Sequence, residues 1–353
     1  MNQGRVVHRD NFAALRLLAA SAVIYGHAFY LTGQTSPGLL YSPVGTIAVK
    51  VFFVISGFLI TESWDRDANL LRYMIRRSLR IFPALAVLAL LTVAVVGPLY
   101  TSLSVAEYMA AEGTRHYLWN IFLFPVYALP GVFTSNVYPV AVNGSLWTLP
   151  VEFFMYLTLP FALMFDRLVR FSLPIISVTV FGLAGVLGTM PASEPLVIYG
   201  TSLPAASAMA PYFLAGATFR RYLDWIPLNL QCGILAAFSA PFITGSPLLQ
   251  ETCLFVLLPY AVLSFAKAPI PAFAAVDRVG DLSYGIYLYG FVVQQCVAVT
   301  FKTDGQPSLN AIIALLVSCG LAKLSWHFVE KPALRLKPRS LGSFRPSLAG
   351  IQP

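Results

Sequence analysis

The feature of this chain that most restricts its fold is a series of apolar runs, each near 20 residues long, separated by short stretches that collect the charged residues. A bilayer's hydrocarbon is about 30 Å thick and takes roughly 20 mainly apolar residues per helix. Inside it the backbone must satisfy its own hydrogen bonds, so such runs fold as helices. The runs lie at approximately 12–31, 43–62, 81–101, 146–165, 172–190, 203–219, 226–243, 250–266, 281–301 and 308–328. They predict an all-α, polytopic membrane protein of about ten transmembrane helices. Composition agrees: 58% of the 353 residues are hydrophobic and 11% charged, against about 25% charged in an ordinary soluble domain.

The formal net charge of +8 would suggest nucleic acid in a soluble protein, but here it sorts against the spans. Arg16, Lys50 and Lys323 fall inside spans, and only Arg115 and Lys302 fall on one side of the membrane. Every other lysine and arginine falls on the opposite side. Basic residues concentrate in cytoplasmic loops, so the alternation predicts an even number of helices with both termini cytoplasmic, and no nucleic-acid partner. Residues 1–335 form the transmembrane domain and 336–353 a basic cytoplasmic tail, with no appended soluble domain. The first run is followed at once by a second and is expected to be an uncleaved helix rather than a signal peptide. Cys232, Cys253, Cys296 and Cys319 all fall in spans with no metal-ligand spacing, as buried small hydrophobes do, and no metal site is expected. The outer stretch 101–145 is too aromatic for a linker. Packing across the outer mouth and an interfacial aromatic belt both fit it.

Charged groups inside spans mark function by default. Arg16 and His27 are eleven residues apart in the first run, about three helical turns, so they leave one face of one helix. Snorkelling to the two interfaces is the bland alternative. With a cytoplasmic entry Arg16 lies toward the inner leaflet and His27 toward the outer one, where a neutral imidazole can take a proton from a hydroxyl. Glu152 enters from the outer side within Asn143-Gly144-Ser145-Leu146-Trp147-Thr148-Leu149-Pro150-Val151-Glu152. It comes to a depth comparable with His27, where it can orient the base or partner another buried donor. Arg77 and Arg80, three apart at the cytoplasmic start of the third helix, share a face and suit phosphate groups, as well as a plain positive-inside signal. Ser56-Gly57 in the second run is expected to let another helix approach closely.

Taken together these segments resemble the membrane-bound acyltransferase 3 family, the ten-helix enzymes that O-acylate bacterial surface sugars. The resemblance rests on Arg16 and His27 with Leu15-Arg16-Leu17-Leu18-Ala19-Ala20, on Phe52-Phe53-Val54-Ile55-Ser56-Gly57-Phe58-Leu59-Ile60, and on Arg76-Arg77-Ser78-Leu79-Arg80-Ile81-Phe82-Pro83. Gly144-Ser145-Leu146-Trp147-Thr148-Leu149 with Glu152, Leu282-Ser283-Tyr284-Gly285-Ile286-Tyr287-Leu288-Tyr289, and Phe328-Val329-Glu330-Lys331-Pro332 complete it. Each is weak alone; the ordered set is specific.

The resemblance implies an O-acyltransferase of the bacterial cytoplasmic (inner) membrane. It would take an acyl group, acetyl above all, from cytoplasmic acetyl-CoA or another acyl-CoA. The acceptor is a hydroxyl of an extracytoplasmic carbohydrate such as an O-antigen or exopolysaccharide. His27 matches the family's catalytic histidine and Glu152 the acidic residue near it. Arg77 and Arg80 match the arginine motif that would hold the donor's phosphates, with Arg16 deeper on the same route. Asn143, Ser145, Trp147 and Tyr287 are candidate donors to the oxyanion or acceptor. Many relatives carry a histidine after Tyr-Leu-Tyr, where this chain has Gly290. The rival reading from another class is a transporter or flippase for a glycan precursor, since intramembrane charges and many spans also fit substrate passage.

Overall fold

The computed structural model describes residues 10–39, 42–189, 196–270, 273 and 280–338. The tail expected at 336–353 therefore lies almost wholly outside the described residues.

Among the described residues ten helices carry the fold: α1 (Phe12–Leu31), α2 (Val44–Arg66), α3 (Leu70–Leu91), α4 (Thr148–Leu168), α5 (Ser172–Leu187), α6 (Leu203–Arg221), α7 (Leu230–Ser239), α8 (Pro247–Lys267), α9 (Ser283–Phe301) and α10 (Pro307–Ser325). Strand structure among the same residues is limited to two-residue hairpin pairs and one isolated bridge. Seven of the described stretches are long and apolar enough to cross a membrane: α1, α2, α4, α8, α9, and α3 and α10 with their extensions to Tyr100 and Arg335. Those extensions run through π-helical turns at Thr92–Val96 and Trp326–Glu330. Helix α5 and the segment Leu230–Phe242 are shorter apolar helices. Helix α6 is long but less apolar, and its position explains why. Met209 to Ala217 are buried without a break, so protein rather than lipid surrounds it and its surface need not be greasy.

Small residues set how closely the helices meet, because lipid offers no hydrophobic drive to push them together. Helices α2 and α6 touch backbone to backbone. A Cβ on Gly57 would stand 1.9 Å from the Phe213 carbonyl oxygen, and one on Gly216 would stand 2.0 Å from that of Val54. Gly26 brings α1 onto Gly45 at the start of α2, and Gly285 brings α9 onto Ala322 of α10.

The aromatic stretch 101–145 is partly packed and partly exposed. Tyr108, Tyr117, Phe133 and Val142 are buried against the bundle, while Trp119 and Phe122 face outward. A capping box of Ser104 and Glu107 starts its first short helix. Asn120 closes a turn by donating to the Tyr117 and Val126 carbonyls. Gln295 of α9, fully buried, donates to the carbonyls of Tyr138 (2.8 Å) and Ala141 (2.7 Å) and fastens the stretch to α9.

Two intramembrane features are resolved by this packing. Lys50 is 3% exposed and donates to Glu251 of α8 (2.9 Å to each oxygen) and to Ser42 (3.1 Å), with its ammonium 4.9 Å from the Tyr212 ring centroid. The pair joins α2 to α8, with Lys50 buried and the Glu251 carboxylate 37% exposed. At Gly290 a Cβ would meet the Ile24 side chain of α1 at 2.8 Å, so the glycine lets α9 pack closely on α1.

Candidate active site

A cavity of about 360 Å³ opens among α1, α2, α3, α4, α9 and the end of the α10 extension. Its mouth is basic and its depth apolar and hydroxylic. Arg16, Arg77, Arg80, Asp281 and Lys337 line the mouth, Ser56, Glu152 and Tyr156 the middle, and Phe52, Thr148 and Tyr287 the far end.

The arginines of the third-helix cluster divide into two sets. Arg72 (2.6 Å) and Arg76 (2.8 Å) both pair with Asp67 in the α2–α3 turn. The hydrogen bond from Arg72, reinforced by Arg76, holds the Asp67 carboxyl down to about 2. Arg77 and Arg80 turn the other way, into the cavity. Arg80 donates to Asp281 (2.6 Å), lies 3.7 Å from Glu330, and covers the Tyr284 ring. Arg16 meets the same Asp281 oxygen at 3.2 Å. Burial alone would raise the Asp281 carboxyl. The guanidiniums of Arg80 and Arg16, with hydrogen bonds from Ser283, outweigh it and place it below the usual carboxylate range. Arg77 stands apart. Among the described residues it has no carboxylate partner, its guanidinium lies 6.0 Å and 5.9 Å from the Tyr73 and Tyr156 ring centroids, and its buried Nε donates to nothing.

Deeper in, the Ser56 hydroxyl donates to Glu152 (2.9 Å), the Tyr156 hydroxyl donates to the same oxygen, and the two hydroxyls are 3.2 Å apart. Helix geometry explains the grouping: Glu152 and Tyr156 are one turn apart on α4, and Gly57 lets α2 come near enough to present Ser56. At the far end Tyr287 hydrogen-bonds with the Thr148 hydroxyl and donates to the Ser145 carbonyl (3.0 Å).

The structure thus gathers Arg16, Arg77, Arg80, Glu152 and Tyr287 around one cavity. His27 is not among its lining residues. Its ring lies against Tyr30 (5.5 Å between centroids) and Phe291 (5.2 Å), one turn of α9 beyond Tyr287. Glu152 does not pair with His27; its hydrogen bonds go to Ser56 and Tyr156. Asn143 and Ser145 are bonded within the protein and are not among the cavity's lining residues. Asn143 donates to the Leu288 carbonyl (3.0 Å) and accepts from both the Ser145 amide (3.1 Å) and hydroxyl (2.7 Å). Trp147 is half-buried against the core. Sequence reasoning missed Tyr156, although its i,i+4 spacing from Glu152 was visible. It also missed Asp281, which directly precedes the Leu282-Ser283-Tyr284 run, and Lys337, which gave no signal inside a basic tail. No group of three or more metal-binding side chains occurs among the described residues.

The model of the acyltransferase domain family, acyltransferase 3, matches residues 9–326. An O-acetyl transferase of Shigella phage Sf6 is 31% identical, over 92% of this chain and 96% of its own. Nodulation protein 10 of Rhizobium leguminosarum bv. viciae is 32% identical over 94% of each chain. A peptidoglycan O-acetyltransferase, OatA of Listeria monocytogenes, is 26% identical over 90% of this chain and 54% of its own. No solved structure matches. A family model covering nearly the whole chain, and relatives aligned end to end with it, establish that the chain belongs to the acyltransferase 3 family and is an acyltransferase.

Proposed function

We propose that this enzyme moves an acyl group, acetyl in the first instance, from cytoplasmic acyl-CoA to a hydroxyl of an extracytoplasmic carbohydrate. In this reading the ten helices cross a bacterial inner membrane with both termini cytoplasmic. One observation carries the proposal: one cavity gathers three arginines with Asp281 at one end, and apolar side chains, hydroxyls and the Glu152 carboxylate along the rest. That is the complement of a donor with an anionic nucleotide head and a slender thioester arm. The relatives' names include O-acetyltransferases and a peptidoglycan O-acetyltransferase, which suits an acetyl group and a glycan acceptor.

Arg77 holds the donor's phosphates in this reading, with Arg80 and Arg16 released to it when Asp281 gives way. The arm enters past Ser56 and Glu152 toward Tyr287. His27 lies one helical turn farther along α9, roughly 6 Å of axial rise, on the side from which the acceptor arrives. Two routes serve. His27 takes the proton of the sugar hydroxyl as its oxygen attacks the thioester carbonyl, the C–S bond breaks, and the thiolate leaves with a proton. Alternatively His27 attacks first, carries the acyl group, and yields it to the hydroxyl. Tyr287 is placed to donate to the developing oxyanion once Ser145 releases it.

The test is His27→Ala in cells, read by mass analysis of surface glycans. Expected is loss of O-acyl groups with normal accumulation of the protein in the membrane. Normal O-acylation in that variant would sink the assignment of His27.

A further inference from the structure

The basic mouth of the cavity is not uniformly charged once its ion pairs are assigned. Arg72 and Arg76 are neutralised by Asp67, and Arg16 and Arg80 share Asp281. Two cations on the cavity lining remain without a carboxylate within 4.0 Å among the described residues: Arg77 and Lys337. Lys337 lies just beyond the helical turn Lys331–Arg335, whose Leu334 also lines the cavity, and that turn packs on α3. The helical extension of α10 therefore ends beside the cavity and presents Lys337 toward the third-helix arginines.

Like charges gathered without a counter-ion cost energy in the empty protein, and an anion bound between them recovers it. The Arg77 side chain also brings a buried Nε that donates to nothing in the protein, and a buried donor of this kind is costly unless a ligand accepts from it. We propose that Lys337 and Arg77 form a polyphosphate-binding pair at the cavity mouth, with Lys337 a donor-binding residue contributed by the segment after α10. The proposal deepens the acyl-CoA reading and rests on it for the identity of the polyphosphate. Although Lys337 is exposed as a residue, its ammonium is pushed down to about 8 by partial withdrawal from water and by Arg77, Arg80 and Arg76, against a weaker opposite pull from Asp281. Withdrawal from water is the larger cause and the neighbouring arginines add to it.

The experiment titrates the full-length protein in detergent with inorganic pyrophosphate, then with CoA and with pantetheine, which has the thiol arm but no phosphate. Lys337→Gln is expected to weaken pyrophosphate and CoA about tenfold, the weight of one charge-assisted contact. Pantetheine is unaffected, and Lys337→Arg restores both anions. Equal pyrophosphate affinity in wild type and Lys337→Gln, or none in the wild type, overturns the pair. Pyrophosphate binding that depends on Lys337, in a protein that ignores CoA, upholds the pair and refutes the acyl-CoA reading instead.

Discussion

Gly57→Ala is the sharpest structural test, because one methyl group must go where the α2 and α6 backbones already meet. The new Cβ would stand 1.9 Å from the Phe213 carbonyl oxygen and 2.8 Å from its carbon. Real Cβ atoms essentially never come within 3.0 Å of a heavy atom, so the helices must part by about 1.1 Å along that line. The obstacle is main chain, and no rotamer change relieves it. Overpacking costs typically about 1–3 kcal/mol, and a backbone obstacle puts this case at the upper end. Alanine's better helix propensity returns about 1 kcal/mol. The net loss of about 2 kcal/mol lowers the melting midpoint by about 3 °C in a chain of 353 residues. Because Ser56 precedes Gly57, the same displacement pulls its hydroxyl from Glu152 and lowers transferase activity. The assay is the monodisperse fraction remaining after heating in detergent. Gly182→Ala is the control, since a Cβ there meets nothing within 4 Å and the midpoint should hold or rise. If Gly57→Ala melts with the wild type, or Gly182→Ala falls as far, the close-approach argument is wrong.

Glu251→Gln should destabilise the protein by about 1–2 kcal/mol, because the buried Lys50 ammonium loses its counter-charge but keeps Ser42 and the Tyr212 ring, while replacing both residues by methionine should recover most of the loss; equal melting of the single and double variants would contradict this. Donor affinity should depend on pH through Lys337. Its ammonium titrates at about 8 in the free protein, and polyphosphate favours the charged form, so affinity is full below that pH and declines as pH rises through it. Lys337→Arg stays charged and should flatten the profile; identical slopes in the two proteins would exclude Lys337 as the titrating group.

The site was legible where chemistry and helical period coincide. Arg16, Arg77, Arg80 and Glu152 are polar residues inside or beside apolar runs, and the cost of placing them there marks them in the sequence itself. Asn143 and Ser145 were less legible. Hydroxyl and amide side chains in a loop serve a turn as readily as a substrate, and only the hydrogen bonds to Leu288 and within the pair show which. Tyr156 lies one turn from Glu152 on the same helix, whereas the approach of Ser56 is fixed by how α2 crosses α4.

Sequence alone determined that the chain fills a membrane with helices and belongs among membrane acyltransferases. Hydrocarbon leaves the backbone no other solution, and the motifs are local strings. Only the tertiary structure decided which charges are free. Asp67 claims Arg72 and Arg76, Asp281 claims Arg16 and Arg80, and Glu251 claims Lys50. For Asp281 and Glu251 the partners are some 200 residues away along the chain, and ion pairing depends on distance in space. Arg77 stands in a motif, but that it and Lys337 are the cations this pairing leaves uncompensated among the described residues lining the cavity is written in none.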